Sequence, residues 1–314
     1  MSIDRAGLSA QLAHTLSETA LAGLASPRRG KVRDVYRLDA ERLLLVATDR
    51  VSAFDRVLTT IPFKGEILTG LSHAWFERTR DIARNHLLER PDPAALVVRS
   101  LSPVPVEVVV RGFLAGSIAR DYAAGKRELY GLRLPDGIAP GERLDPPLVT
   151  PTTKEEVGTH DRPVSETEVV ARGLVPAGTW AEIREKALAL FEAGQAWARA
   201  HGLELVDTKY EFGLDRAGSV WLIDEVHTPD SSRYWRQTPQ GPQALDKEFL
   251  RQWLLSRGWK GDGPPPEIPD STRVDLAQRY AELFETLEGR PPPLAVGASR
   301  DRLEQNLRRA GLIA

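Results

Sequence analysis

Runs of apolar residues along the chain predict several β-strands. The runs are rich in Val, Ile, Leu and aromatic residues, and turn-forming residues separate them. The predicted strands lie on either side of a turn at 39–42, at 95–101, at 104–113, at 203–213 and at 219–226.

Apolar residues three and four positions apart predict helices in other parts of the chain. The longer predicted helices cover 66–90, 179–200 and a stretch that begins at about Ser271. Shorter helices are predicted over 5–25 and over 117–126, the second with Ser117 as its N-cap. The Pro- and Gly-rich stretch 131–163 is predicted to be a loop.

Together these elements predict an α+β fold in three parts. A β-rich N-terminal lobe is expected over 1–106 and a central α+β lobe over 107–245. A helical C-terminal extension is expected over 246–314, with residues 261–269 as a stiff Pro-rich linker.

Composition narrows the class of protein. A net charge of −2 gives no general basic field that would favour nucleic acid or an anionic membrane as partner. The chain has no cysteine, which excludes a disulfide framework, a thiolate nucleophile and a cysteine-based zinc site. No stretch approaches the roughly 18 apolar residues of a membrane span, and the N-terminus lacks a secretory pattern, so we expect a cytoplasmic protein.

The hairpin predicted over 203–226 brings charged side chains together. Alternation along its first strand places Asp207, Lys209 and Glu211 on one face. A four-residue turn at the tip would put Lys209 opposite Asp224 and Glu211 diagonal to it. Carboxylates on a half-buried sheet repel one another unless a cation compensates them.

Two interpretations of this hairpin remain open. A hard cation such as Mg²⁺ fits, held by one or two carboxylates plus phosphate oxygens. The alternative is a structural Lys209–Asp224 ion pair with Glu211 in solvent.

Two N-terminal segments carry further candidate chemistry. In GKVRDVY, Gly30 allows backbone amides to approach an anion, and Lys31 and Arg33 supply positive charge, although the segment is not a Walker A motif. An exposed basic turn is the alternative. The segment ATDRVSAFD, which follows a strand, is either a substrate loop or a loop that satisfies its own turns, and its polar residues are Asp49, Arg50, Ser52 and Asp55.

Three later segments are also polar. In 106–117, Arg111 lies near the predicted helix start at Ser117, which suits an anion or only a capped surface helix. In 224–235, Ser231, Ser232 and Arg233 suit a phosphate or carboxylate clamp, or a capped turn. The loop 150–161 contains Lys154, Glu155, Glu156, His160 and Asp161, but no second histidine at metal-binding spacing, so zinc is not expected there.

In combination, these segments resemble the phosphoribosylaminoimidazole-succinocarboxamide synthase family. They occur in that family's order and approximate spacing and span residues 30 to 235, and the polar loop and C-terminal extension resemble its longer form. The matching blocks are GKVRDVY, LLLVATDRVSAFD, VPVEVVVRGFLAGS, TPTTKEEVGTHD, DTKYEFGL and IDEVHTPDSSRYW.

This resemblance implies a reaction and a cleft. L-Aspartate is joined to the carboxylate of 5-amino-1-(5-phosphoribosyl)imidazole-4-carboxylate, with ATP cleaved to ADP and phosphate. The implied fold has ATP bound between a β-rich lobe and an α+β lobe, broadly as in kinases and ATP-grasp ligases. The implied cofactor is Mg²⁺, the implied ligands are small molecules, and the protein is expected to be a monomer or a homodimer.

The resemblance also assigns roles to individual residues. Catalytic roles fall to Lys209, Glu211 and Asp224, and metal binding falls to Glu211 and Asp224. The implied ATP-binding residues are Gly30, Lys31, Val32, Arg33, Glu107, Val109, Lys154, Glu211 and Asp224. The implied substrate-binding residues are Asp49, Arg50, Ser52, Asp55, Arg111, Ser117, Asp207, Ser232 and Arg233.

Two other functions compete with this one. A kinase-like phosphotransferase acting on a small anionic metabolite would share the phosphate-binding residues but would not need L-aspartate. A nucleotide-binding sensor without catalysis would keep ATP affinity after loss of the substrate-side arginines.

Overall fold

The computed structural model describes residues 3–154 and 162–314. Its strands are β1 (Arg28–Arg29), β2 (Arg33–Arg37), β3 (Arg42–Ala47), β4 (Arg50–Ala53), β5 (Arg56–Thr60), β6 (Leu87–Asp92), β7 (Ala95–Arg99), β8 (Ser102–Pro103), β9 (Val106–Phe113), β10 (Glu128–Leu129), β11 (Leu132–Arg133), β12 (Arg143–Thr153), β13 (Glu204–Leu214), β14 (Val220–Ile223), β15 (Ser232–Thr238) and β16 (Gly241–Ala244). Its helices are α1 (Arg5–Gln11), α2 (Lys64–Arg78), α3 (Gly116–Ala123), α4 (Glu166–Ala171), α5 (Ala177–Ala200), α6 (Glu248–Ser256), α7 (Asp270–Glu288) and α8 (Ser299–Arg309), with a 3₁₀ turn at Leu12–His14.

Two antiparallel sheets form the framework of the two lobes. The N-terminal sheet has the order β1-β2-β3-β7-β6. The central sheet has the order β12-β9-β13-β15-β16, and the long strand β13 also pairs with β8 and β14. The sheets confirm the predicted α+β class.

The turn between β2 and β3 follows the prediction closely. The Asp39 carboxylate accepts hydrogen bonds from the backbone amides of Glu41 and Arg42, both at 2.8 Å, which closes the turn. Tyr36 and Leu44 are directly paired across the hairpin, and both are fully buried. Local turn chemistry and an apolar cross-strand pair therefore specify this hairpin together.

The helices cover the sheets from several sides. Helix α2 packs between the N-terminal sheet and α7, so it is buried around most of its circumference. Helix α5 packs across β9 and β13 of the central sheet. Helix α7 confirms the helix predicted from about Ser271, and its apolar residues at helical spacing are all buried: Val274, Ala277, Tyr280, Phe284 and Leu287.

The C-terminal helices α7 and α8 pack against N-terminal elements, and α7 also reaches the central sheet through the ion pair of Glu282 with Arg236 of β15. Helix α7 contacts α1 and α2, while α8 covers the outer face of the N-terminal sheet through Leu303 and Leu307. The guanidinium of Arg302 bonds the carboxylates of Glu66 and Asp92 and so joins α8 to α2 and β6.

Several predicted boundaries are wrong. The helix predicted over 66–90 ends at Arg78 and is followed by β6, and the one predicted over 5–25 is only α1 with its 3₁₀ turn. The predicted loop 131–163 contains the eleven-residue strand β12. This strand lies at the edge of the central sheet, next to β9, and an edge strand tolerates the prolines that suggested a loop. None of the described helices is long and apolar enough to cross a membrane.

Candidate active site

A cleft of about 1300 Å³ lies between the N-terminal sheet and the central sheet. The loop before β2, the tip of the β4–β5 hairpin, β9, β13 and the start of α6 all contribute residues to its walls. The cleft therefore has both the size and the mixed walls of a site for a nucleotide and a second small molecule.

One end of the cleft is apolar. Leu45, Val98 and Ile223 are buried there, and Val35 and Leu43 are partly buried on the same wall. These side chains come from β2, β3, β7 and β14, at positions that alternation directs to one face of each strand. The wall suits a planar ring, and it is a feature that the sequence analysis did not single out.

A cluster of four charged residues, the cleft cluster, lies beside this wall. The Lys209 ammonium lies 2.6 Å from a carboxylate oxygen of Glu107 and 2.6 Å from one of Glu211. The Lys154 ammonium bonds the other oxygen of Glu211. Glu107 thus lies with the charged groups rather than at the apolar end of the cleft.

The cations of the cleft cluster keep Glu211 ionised. Burial alone would raise the pKa of this carboxyl, but Lys209 and Lys154 outweigh burial and hold its pKa well below the usual range. Burial likewise opposes the charge of Lys209, and Glu211 and Glu107 overcome it and raise the pKa of Lys209 well above its ordinary value.

A second ion-pair group spans the cleft. Arg33 of β2 bonds Asp224, and its guanidinium lies 2.9 Å from the Glu225 carboxylate. Asp224 follows β14 in a left-handed conformation, with φ of 70°, which turns the chain at the end of the strand. Arg33 therefore joins the N-terminal sheet to the β13–β14 hairpin, and Glu225 is an acidic residue of the cleft that the sequence analysis missed.

The predicted register of this hairpin is wrong by one residue. Glu211 pairs with Ile223 and Leu214 with Val220, so Lys209 is not opposite Asp224. The cause is a longer tip, in which the Asp215 carboxylate accepts the amides of Ala217 and Ser219, both at 2.9 Å. The alternative Lys209–Asp224 ion pair does not form, since Lys209 bonds Glu107 and Glu211 instead.

Glu211 and Asp224 are not part of a preformed metal cage. Within residues 3–154 and 162–314, no group of three or more His, Cys, Asp or Glu side chains is arranged to hold a metal ion. Both carboxylates line the cleft, where each faces a basic side chain. Such an arrangement suits a cation that brings most of its oxygen ligands with it.

A third charged group lies on the central sheet. Arg111 donates to the Asp207 carboxylate at 3.3 Å, to the Ser117 hydroxyl at 3.3 Å and to the Thr150 hydroxyl at 2.8 Å. Arg233 bonds the same Asp207 carboxylate. Asp207 thus holds two guanidinium groups side by side. Arg111, Ser117, Asp207 and Arg233 all line the cleft, whereas Thr150 does not.

The start of α3 is shaped around Arg233. Gly116 has a left-handed φ of 65°, and a Cβ at this position would lie 2.5 Å from the Arg233 guanidinium. The left-handed backbone favours glycine here, and any larger residue would also have to displace the Arg233 guanidinium from its position beside Asp207. The predicted N-cap at Ser117 is wrong, because Ala115 is the N-cap and the Ser117 hydroxyl instead accepts from Arg111.

The β4–β5 hairpin brings two predicted residues to the cleft. Ser52 and Asp55 line it, and Asp55 forms an ion pair with Lys31 of the loop before β2. Ser232 also lines the cleft, and its hydroxyl lies 2.8 Å from that of Thr208.

Asp49 and Arg50 are outside the cleft lining. The Asp49 carboxylate is buried and accepts the backbone amides of Leu16 at 2.7 Å and Gly65 at 3.0 Å. Arg50 donates to the backbone oxygens of Lys31 and Gly30 at 3.1 and 3.0 Å. These positions favour a supporting role, in which Arg50 holds the loop that contains Gly30 and Lys31.

Two of the remaining predicted residues, Gly30 and Val32, hold the loop before β2 in place through backbone hydrogen bonds. The Gly30 amide donates to the Arg33 oxygen at 2.7 Å, and the Val32 oxygen accepts from the Thr48 amide at 2.9 Å. Val109 lines the cleft in the middle of β9, paired with Lys209. The candidates Glu155, Glu156, His160 and Asp161 lie outside the described residues.

Helix α6 is the largest omission from the sequence analysis. Lys247, Glu248 and Arg251 at its start line the cleft, although the C-terminal extension was given no chemical role. A sequence signal was present, because Lys247 and Arg251 lie four positions apart on one helical face.

Comparison with known proteins gives consistent results. The model of the family described as SAICAR synthetase matches residues 26–266. The phosphoribosylaminoimidazole-succinocarboxamide synthase of Legionella pneumophila is 44% identical over 288 residues, which cover 87% of this chain and 91% of that protein.

Solved structures agree with the sequence matches. A SAICAR synthase from Saccharomyces cerevisiae complexed with SAICAR has 32% identity and a TM-score of 0.79, covering 89% of this chain and all of that one. A SAICAR synthetase in complex with ADP has 26% identity and a TM-score of 0.68, covering 85% of this chain and all of that one.

Proposed function

The chain belongs to the SAICAR synthetase family and is an ATP-dependent ligase of de novo purine biosynthesis, and we propose that the cleft described above is its active site. The proposed reaction joins the amine of L-aspartate to the carboxylate of 5-amino-1-(5-phosphoribosyl)imidazole-4-carboxylate, hereafter the ribotide. The observation that carries this proposal is one cleft with an apolar wall, a cluster of two lysines and two glutamates, and a pair of arginines held by a single aspartate.

We assign ATP to the apolar end and the cleft cluster. The base would lie against Leu45, Val98 and Ile223, and the phosphates would meet the ammonium groups of Lys154 and Lys209. A related structure contains ADP, which supports nucleotide binding by the family fold. Arg33 would contribute a further positive charge from the opposite wall.

Mg²⁺ fits the acidic residues beside these phosphates. Glu211 stays ionised, and Asp224 lies at the cleft surface rather than inside a closed cage. Mg²⁺ characteristically binds through one or two carboxylates together with phosphate oxygens and water. When bound, the ion would neutralise charge on the transferring phosphoryl group.

We assign the ribotide phosphate to Arg111, Ser117 and Arg233. Arginine binds phosphate with two parallel hydrogen bonds, and Asp207 holds both guanidinium groups in fixed positions. The start of α3 adds the partial positive charge of a helix N-terminus. The ribotide carboxylate would then extend from this pocket toward the ATP phosphates.

The chain's residues assist the reaction by positioning and by charge. A carboxylate is a poor electrophile, so one of its oxygens must leave with the γ-phosphoryl group of ATP as the amide forms. The carbon–nitrogen bond replaces that carbon–oxygen bond, and ADP and inorganic phosphate are released. The ammonium group of L-aspartate loses two of its three protons and keeps the third as the amide N–H. Lys154, Lys209 and Arg33 would stabilise negative charge on the phosphoryl oxygens whether the steps are separate or concerted.

ADP release measured with each substrate omitted in turn tests the proposal. We expect release to require both L-aspartate and the ribotide, with the succinocarboxamide product formed in equal amount. Sustained ADP release without L-aspartate would favour the phosphotransferase alternative. ATP binding without release under any combination would favour the nucleotide sensor.

A further inference from the structure

We propose that Tyr280, on helix α7, is a positioning residue for the reaction, because its hydroxyl holds Asp230 and, through Asp230, the loop that brings Ser231 and Ser232 into the cleft. This inference rests on the proposed function, since it connects the C-terminal extension to the ribotide side of the same site. Tyr280 itself does not line the cleft, so it acts only through Asp230.

The loop between β14 and β15, residues 224–231, needs support from outside itself. The amides of Ser231 and Ser232 donate to the Thr228 oxygen at 3.2 and 2.9 Å, and the Ser231 hydroxyl accepts the Thr228 amide at 3.2 Å. These bonds close a turn but do not fix its position in the molecule. The Lys209 amide donates to the Ser231 oxygen at 2.8 Å, which ties one edge of the loop to β13.

The carboxylate of Asp230 ties the same loop to two helices. One oxygen lies 2.8 Å from the Lys64 ammonium at the start of α2, and the other accepts the Tyr280 hydroxyl at 2.8 Å. Burial alone would raise the pKa of Asp230, but the charges of Lys64 and Lys247 and the two hydrogen bonds outweigh burial and hold the pKa well below its usual range. The carboxylate therefore stays ionised and keeps both partners.

The Tyr280 hydroxyl is a polar group in an apolar part of α7. The residues three and four positions away on this helix are all buried and apolar: Leu276, Ala277, Leu283 and Phe284. Tyr280 is itself fully buried, and a buried hydroxyl without a partner is costly. A phenylalanine would serve packing alone, so the hydroxyl indicates that the bond to Asp230 has its own purpose.

Helix α7 is a rigid support for this bond. Near its end, the two carboxylate oxygens of Glu288 accept from the Arg78 guanidinium of α2 at 2.7 and 2.8 Å. Such a bidentate pair fixes orientation as well as distance. Because Lys64 begins α2 and Arg78 ends it, the two helices hold Asp230 as one frame.

Removing the Tyr280 hydroxyl should loosen the loop without unfolding the protein. Lys64 still bonds the other oxygen of Asp230, so the buried charge stays compensated. The loop ends at Ser232, which directly precedes Arg233 of the proposed phosphate pocket. A small displacement of a binding group is enough to weaken binding, even when its cause lies far from the reacting atoms.

Amide hydrogen exchange combined with steady-state kinetics tests this role. Tyr280→Phe removes only the hydroxyl, and Asp230→Asn weakens both bonds while keeping the shape of the side chain. Tyr36→Phe is the control, because the Tyr36 hydroxyl is also buried, donates to Thr19 at 2.8 Å and does not line the cleft. Exchange is followed in peptides that cover 224–234 and in peptides that cover β2 and β3.

We expect exchange in the β14–β15 loop of Tyr280→Phe to be at least about 5-fold faster than in the wild type, with β2 and β3 unchanged, because the opening is local. The KM for the ribotide should rise about 5-fold and that for ATP less than about 2-fold, the scale of one weakened hydrogen bond. Asp230→Asn should show the same pattern with larger changes. Tyr36→Phe should match the wild type in the loop and in both KM values.

Three results would overturn the positioning role. The first is unchanged exchange in the loop of Tyr280→Phe. The second is faster exchange throughout the chain, including β2 and β3, which would show a loss of global stability only. The third is faster exchange in the loop with unchanged KM for the ribotide, which would confine the bond to local stability.

The outcome for Tyr280 is separable from the outcome for the proposed function. A wild type whose ADP release needs both L-aspartate and the ribotide keeps the proposed function even if Tyr280→Phe behaves like the wild type. If Asp230→Asn does not fold, Tyr280→Phe carries the test alone.

Discussion

Two buried glutamates in this molecule show opposite electrostatic behaviour. Glu211, in the cleft cluster, is held below its usual pKa range by Lys209 and Lys154, which outweigh its burial. Glu66, on α2, has a pKa raised to about 7, because burial outweighs the attraction of Arg302 and the carboxylates of Asp49 and Asp92 add repulsion. Both side chains are nearly inaccessible to solvent, so burial alone does not explain the difference.

The number of cations bonded to each group of carboxylates explains why the pKa of Glu211 is lowered and that of Glu66 is raised. In the cleft cluster, two ammonium groups bond two carboxylates. Beside α8, the single guanidinium of Arg302 bonds both Glu66 and Asp92, and Asn306 also bonds Asp92. We call these four residues the anchor cluster. The first arrangement keeps its charges and opens to a cleft, as an anion-binding site requires. The second is closed and structural.

The largest effect is expected in the anchor cluster. Arg302→Ala leaves the buried Asp92 carboxylate without its bonded cation and should lower the free energy of unfolding by about 3 kcal/mol. Turnover of the folded fraction should be unchanged. Denaturant unfolding measures the loss. Arg308→Ala, on the same helix, removes an exposed pair with Glu304 and should cost no more than about 0.5 kcal/mol. Equal losses in the two variants would contradict the structural role of the cluster.

In the cleft, the expected loss is of activity rather than stability. Asp224→Ala should lower turnover at least about 100-fold, the scale of losing a key electrostatic group, and leave the fold largely intact. Circular dichroism and ADP release measure the two properties separately. Near-normal turnover would contradict the assignment of Asp224 to Mg²⁺ and the phosphates. Asp215→Ala, at the tip of the same hairpin, controls for damage to the hairpin itself.

The pH dependence of stability should have opposite sign in the two clusters. Glu66 binds its proton more tightly in the folded state, so its contribution to stability is present below about pH 4.5 and is lost as pH rises toward about 7. At about 1.4 kcal/mol per pKa unit, the rise from 4.5 to about 7, which already includes the attraction of Arg302, corresponds to a loss on the order of 3 kcal/mol. Denaturant unfolding between pH 4.5 and 8 should show a smaller loss of stability in Glu66→Gln than in the wild type, and the slope that remains comes from Asp49 and Asp246, whose pKa values burial raises to about 6.

Glu211 provides the matched comparison for that experiment. Its pKa is depressed in the folded state, so its contribution is present above the unfolded pKa of 4.5 and is lost as pH falls below it. Glu211→Gln should therefore flatten the acid side of the stability profile and leave the neutral side unchanged. The same slope for both variants would show that the two clusters do not differ as described.

The smallest effect is expected in the arginine pair. Arg233→Ala should raise the KM for the ribotide about 10-fold more than the KM for ATP, because one of two phosphate-binding guanidinium groups remains. Arg236→Ala is the control, since Arg236 follows on the same strand but bonds Glu282 and Thr286 away from the cleft. Equal changes in both KM values would count against the assigned role of Arg233.

Much of the candidate site was predictable because its residues occur in short polar segments. The segments that contain Lys31, Arg111 and Arg233 all reach the cleft as expected. The exceptions have local causes. Asp49 and Arg50 are polar and lie in such a segment, but their hydrogen bonds hold neighbouring backbone rather than face the cleft. A polar loop pattern does not distinguish these two uses.

Other features depended on distances that no local pattern contains. The hairpin tip was predicted one residue too short because the Asp215 side chain closes a longer loop. Helix α6 was overlooked because Lys247 and Arg251 reach the cleft only when the start of α6 packs against β15, near Asp230. Strand β12 was missed because its prolines are compatible with a sheet edge, and edge position is a property of the assembled sheet.

The sequence by itself determined the strand alternation, the turn at Asp39, the apolar stripe of α7 and the residue types of the site, because each depends on neighbours within a few positions. The tertiary structure decided which charges meet. Arg33 and Asp224 are separated by 191 residues and Lys209 and Glu107 by 102. The first pair forms only when the two sheets pack together, and the second only when β9 and β13 pair within the central sheet. Burial and nearby cations then set each pKa.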